Sequence, residues 1–155
     1  MTVPPVPKPS RFLDLGRTGR SPQPDAVAQP GASRLLDQSE FLTAGVFVFD
    51  KWCERAVERR EPTPFDLSTS CKYGSLFMRL VYGGAIEGNY QHQYNVIDGR
   101  IVDLSHGAAD VFAMRRPYAH EPELFGIESH MRSMASLTPR VESWVEEFLA
   151  RPKRG

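Results

Sequence analysis

A chain of 155 residues is the size of one ordinary domain, long enough to bury a core without a disulfide or metal staple. Its 19 basic and 19 acidic residues cancel, and no block of like charge is long enough to make a nucleic-acid or membrane surface. Two cysteines, Cys53 and Cys71, cannot form a disulfide framework and fit a reducing compartment; with neither a secretion signal nor an apolar run of spanning length, a soluble, cytoplasmic protein is expected.

Residues 1–33 are crowded with prolines (Pro4, Pro5, Pro7, Pro9, Pro22, Pro24, Pro30), which disfavour helix and central strand alike and predict an extended N-terminal arm. Its apolar residues Phe12, Leu13 and Leu15 can dock on the domain that follows, expected over residues 34–150. From Leu35 onward, Leu36, Phe41, Leu42, Val46, Val48, Phe49, Trp52, Cys53, Ala56 and Val57 recur at helical spacing as far as the charged stretch before Pro62, predicting a long buried helix. The loop-like EPTPFDLSTS ends in Ser68, Thr69 and Ser70, suited to cap a second helix that begins near Cys71 and stops at Gly83-Gly84.

Three antiparallel strands are expected next. Asp98-Gly99, flanked by Val96 and Ile97 on one side and Ile101, Val102 and Leu104 on the other, is the signature of a tight hairpin. A loop is predicted from Gly107 through the proline-broken PYAHEPELFG. Thr138-Pro139 then reads as a helix start, with Val141, Trp144, Val145, Phe148 and Leu149 as its apolar stripe. Helices, a small sheet and helices again make an α+β protein.

The chemistry-bearing residues fall on neighbouring elements. A free cysteine is mostly protonated at neutral pH, with a pKa of about 8.5, so a nucleophilic one needs a group that stabilises the thiolate. A helix N-terminus does so, and Cys71 sits in the first predicted turn. The hairpin places His92 on one strand and Asp103 on the next, an imidazole to move the thiol proton and a carboxylate to orient it. Each alone has a plain structural explanation: Cys71 a small buried hydrophobe, His92 a half-exposed strand residue, Asp103 a turn cap. Cys71, His92, Asp103 and His106 together also have the ligand types of a zinc site, but no short ligand pair supports one, so neither metal nor cofactor is expected. Cys53, in the stripe of the first helix, reads as core; His120 and His130 read as surface or packing residues, and Tyr73, Tyr90 and Tyr94 can line a cleft, although an aromatic near a sheet is more often core or edge packing.

The run from the capped cysteine through His92, Tyr94, Asn95, Asp98, Gly99, Ile101, Val102 and Asp103 resembles the core of the transglutaminase-like branch of the papain-like cysteine peptidase superfamily. There, histidine is followed by an aromatic, a glycine turn and an apolar strand ending in aspartate. Tyr94 stands where tryptophan is usual, and the interval from Cys71 to His92 is compact. The resemblance implies a papain-like core, Cys71 as nucleophile, His92 as general base and acid, and Asp103 as the residue orienting the imidazole. It also implies a hydrolase of amide or peptide bonds, whether peptidase, amidase or deamidase, working through an acyl-enzyme thioester. An acyltransferase of the transglutaminase or arylamine N-acetyltransferase type, or a non-catalytic binding protein on the same fold, is the alternative. A peptide, a protein or a small amide would be the substrate; oligomeric state is left open.

Overall fold

A computed structural model describes residues 29–151; most of the proline-rich arm, with Phe12, Leu13 and Leu15, lies outside them. The architecture is α+β: helices α1 (Gln38–Glu58) and α2 (Cys71–Tyr82), strands β1 (Ala85–Gly88), β2 (Gln93–Ile97) and β3 (Arg100–Val102), a short helix α3 (Ala109–Ala113), a 3₁₀ turn at Pro122–Gly126, and helix α4 (Glu128–Ala150). The sheet is antiparallel in the order β1-β2-β3. No helix among the described residues is long and apolar enough to cross a membrane.

Local chemistry explains the element ends. Asp37 caps α1 by accepting the Glu40 N–H at 2.7 Å. Asp98 and Gly99 have φ of 54° and 71°, the left-handed pair that a two-residue hairpin loop demands. The loop fixes the register Asn95 opposite Val102 and Val96 opposite Ile101. Gly84, at φ 80°, turns the chain from α2 into the sheet, and a β-carbon there would lie 2.6 Å from the Val96 carbonyl oxygen.

The core lies where α1, α2, α4 and one face of the sheet meet. Phe47, Phe77 and Phe148, one from each helix, form an aromatic triangle with centroids 5.1–5.6 Å apart. Trp52, Tyr73 and Trp144 stack beside it, so Tyr73 is a packing residue. Val102 and Ile97 join this core, whereas Tyr94 and Ile101, on the opposite face of the sheet, make a second cluster with Val96 and Tyr118.

Three local expectations are corrected. The Ser70 side chain does not cap α2: its hydroxyl donates to the Leu67 carbonyl at 2.7 Å, because the chain enters the helix through Thr69 at φ 67° and Ser70 is turned back into that tight bend. The loop from Gly107 contains α3, a helix of five residues, too short to show a periodicity. The last helix begins at Glu128, and Pro139 lies inside it. A proline there removes one backbone bond, but the buried face runs straight through it, from His130 and Leu137 to Val141, Trp144 and Phe148. The Thr138 hydroxyl donates back to the Met134 carbonyl at 2.7 Å, a local bond often made by threonine within a helix. Burial of a long stripe outweighs the local break.

Candidate functional site

Cys71 is the first residue of α2 and is partly buried. The bend that delivers it is tied down from outside the helix. Ser68 N–H donates to Asp66 Oδ1 (2.8 Å), Ala109 N–H to Asp66 Oδ2 (2.9 Å), Thr69 N–H to Asp110 Oδ2 (2.8 Å) and Asp110 N–H to Ser68 Oγ (3.2 Å). Burial would raise the Asp66 carboxyl, but these donors hold it below its ordinary value. The network maintains a β-branched residue, Thr69, at positive φ two positions before the thiol, a conformation that costs energy and persists only when its surroundings impose it.

His92 immediately precedes β2 and is 2 % exposed; Asp103 follows β3 and is 3 % exposed. One step beyond the Asn95–Val102 pair, Asp103 falls opposite Tyr94, on the same face as His92. His92 Nε2 lies 2.6 Å from Asp103 Oδ2. That carboxylate is fully engaged: Tyr118 Oη donates to Oδ2 at 2.9 Å and the Ser105 N–H to Oδ1 at 2.9 Å. The Cys71 thiol lies close enough to the same imidazole to raise it, and with Nε2 against Asp103 the ring nitrogen left to take a proton from the thiol is Nδ1. Burial opposes a charge on His92, but the facing Asp103 carboxylate and the thiol outweigh it and raise the imidazole to about 10. Burial, and then Asp103, push the Tyr118 hydroxyl far above its ordinary value. Tyr118 therefore stays a donor.

Cys71 and His92 open onto one cleft of about 380 Å³ between the start of α2, residues 89–93 and the start of α4. Asn89 lines it. Its Oδ1 accepts the N–H groups of Gln91 (2.9 Å) and His92 (3.1 Å), while its Nδ2 donates to the carbonyls of Arg116, Pro117 and Ala119 at 2.8–3.3 Å. One side chain thus sets the turn into His92 and holds the loop that carries Tyr118.

The three residues expected from sequence are brought together; Cys53 is not among them. Its thiol lies beside the Pro64 carbonyl and is raised by burial and by Asp50. His106 is buried behind Asp103, where burial and His92 hold it below its ordinary value against the pull of Asp103. Among the described residues no group of three histidine, cysteine or acidic side chains is disposed to hold a metal ion. Tyr118, Asn89, Lys72, Gln93 and His130 were not legible as site residues. Tyr118 and His130 lie in segments with no pattern pointing at the hairpin, and Asn89 reads as a turn former whatever it holds. Comparison with protein-family models, with curated proteins and with solved structures finds no match.

Proposed function

We propose that the protein is a thiol-dependent hydrolase of an amide or peptide bond. The observation that carries this reading is that Cys71, at a helix N-terminus, and His92 line one cleft and interact, with Asp103 buried against the far nitrogen of the imidazole. A helix led by the thiol and followed by antiparallel strands bearing the histidine and the aspartate also supports a papain-like, transglutaminase-like core.

The steps follow from the positions. The imidazole holds the thiol proton, and the thiolate attacks the acyl carbon, forming a C–S bond. The imidazolium returns that proton to the departing amine as the C–N bond breaks, leaving a thioester. His92 then takes a proton from water, which attacks the thioester; the C–S bond breaks and the carboxylic acid leaves. Asp103 occupies Nε2 and so leaves Nδ1 to take the thiol proton, and Tyr118 and Ser105 hold Asp103. The backbone N–H of Cys71, at the start of α2, would donate to the developing oxyanion.

p-Nitrophenyl acetate tests the reading. One equivalent of p-nitrophenol should be released in a burst, with the acetyl group found on Cys71 by mass spectrometry, and Cys71→Ser should abolish both. Acetyl groups divided equally between Cys71 and Cys53, or release no faster than from an unfolded thiol, would instead indicate a binding protein. Added hydroxylamine separates hydrolysis from transfer through its share of the product.

A further inference from the structure

The wall of the cleft beside Cys71 has an unbalanced chemistry. Lys72 lines it, and its Nζ donates to Ser133 Oγ at 2.9 Å; among the described residues it has no carboxylate partner. Ser129 and Ile127, at the start of the 23-residue helix α4, line the same wall. The first-turn N–H groups of that helix have no acceptor within the helix, and among the described residues no side chain caps them. The helix's own first-turn acid, Glu128, pairs with Arg132, 3.3 Å off, and does not line the cleft. Lys72, the helix start and the His92 imidazole all favour negative charge, and none of the described residues lining the cleft is acidic.

A second observation is independent of the helix end. His130 lines the cleft, is 8 % exposed, and its Nε2 is buried with no partner among the described residues. An unmade hydrogen bond on a buried imidazole is costly, and its ring sits next to the Lys72 charge. Gln93, 2 % exposed on the same wall, holds Ser75 Oγ and Met134 Sδ through Nε2 and leaves Oε1 unpartnered. The wall therefore combines a cation and N–H donors suited to a carboxylate with one acceptor suited to an amide N–H.

We infer that Lys72, His130 and the start of α4 form a carboxylate-binding subsite, so that the acyl donor is an amide bearing a carboxylate close to the bond that breaks. This rests on the catalytic reading of Cys71. The carboxylate belongs either to a chain end or to an acidic side chain, and the chemistry is the same for both.

Two alkylating reagents of almost equal size test it: neutral iodoacetamide and anionic iodoacetate. Each reacts as the Cys71 thiolate attacks the methylene carbon and iodide leaves with the bonding pair. The ratio of the two rates at one pH does not depend on how much thiolate is present. The iodoacetate-to-iodoacetamide ratio at Cys71 should exceed that of the same thiol in the urea-unfolded chain by on the order of tenfold, the size of one well-placed charge-assisted hydrogen bond. Lys72→Met should bring it back towards the unfolded value, and Lys72→Arg should retain it. Rapid iodoacetamide reaction with an unfolded-like ratio would overturn the subsite and leave the nucleophile standing. Slow reaction with both reagents would overturn the nucleophile and the subsite with it, and a raised ratio indifferent to Lys72→Met would overturn the assignment to this wall. Protection of Cys71 by N-acetyl-alanyl-alanine but not by its C-terminal amide identifies a chain end, and protection by N-acetyl-aspartate amide an acidic side chain; equal protection by all three would overturn the preference.

Discussion

At the scale of single residues, Asp103 holds the most constrained position. Its two oxygens receive the imidazole, a phenol and a backbone N–H while the residue is almost wholly buried. Removing one member of a buried charged pair leaves the other uncompensated, which costs roughly 3–5 kcal/mol. Asp103→Ala should lower stability to urea by about that amount. Tyr118→Phe leaves His92 and Ser105 on the carboxylate and should cost about 1.5–3 kcal/mol, the usual value of one hydrogen bond to a charged group. If the two variants unfold at the same urea concentration, the carboxylate is not the centre of the cluster. His92→Ala acts on reactivity: without the imidazole, Cys71 loses its proton acceptor, and its alkylation by iodoacetamide at pH 7 should slow by at least about tenfold. Cys53, beside Pro64, should be unaffected. An unchanged Cys71 rate would remove His92 from the chemistry.

At the scale of elements, the short connection between β1 and β2 decides where the imidazole stands. A β-carbon at Gly88 would run into the His92 carbonyl oxygen, and the Asn89 N–H donates to that same oxygen at 2.9 Å. Gly88→Ala should therefore displace His92 as well as destabilise the hairpin, and Asn89→Ala should free both His92 and the 116–119 loop. For each, a slower Cys71 alkylation accompanying a loss of about 1–3 kcal/mol is expected, since a buried donor or acceptor is left unmet; lost stability with undiminished reactivity would show that this turn does not position the ring. The elements of this region were legible because each carries a local signal: Asp98-Gly99 for the hairpin, Gly83-Gly84 for the end of α2, and regular apolar spacing for α1. Thr138-Pro139 misled because its signal is equally local. The start of α4 is instead determined by what its buried face meets in three dimensions, which no neighbouring residue announces. The same limit hid Tyr118 and His130, which reach the site through the packing of the 114–130 segment. The Cys71, His92 and Asp103 positions were readable because hairpin register and a helix start are short-range geometry.

At the scale of the whole molecule, the histidines couple stability to pH in opposite directions. His92 is raised from 6.5 to about 10 by Asp103 and Cys71 against the effect of burial. The folded chain thus holds that proton more tightly than the unfolded one, and its stabilisation is fully present below about pH 6.5 and lost as pH rises towards 10. His106 and His130 are lowered, each first by burial, then by His92 for His106 and by Lys72 for His130. For these the unfolded chain binds protons more readily, so their contribution is present above about pH 6.5 and lost as pH falls below it. The two effects together predict a maximum of stability near neutrality with separable limbs. The alkaline limb belongs to His92, whose proton is held chiefly by the facing Asp103 carboxylate. Asp103→Asn lowers stability throughout, but its distinctive effect should be on slope: the decline from pH 6.5 to 10 flattens while the acid limb keeps its shape. His106→Gln should do the reverse, flattening the decline below 6.5 and leaving the alkaline limb intact. Urea unfolding at half-unit intervals from pH 5 to 10 reads both slopes. An Asp103→Asn protein that retains the full alkaline decline would mean that the His92 proton is held by something other than the carboxylate 2.6 Å away.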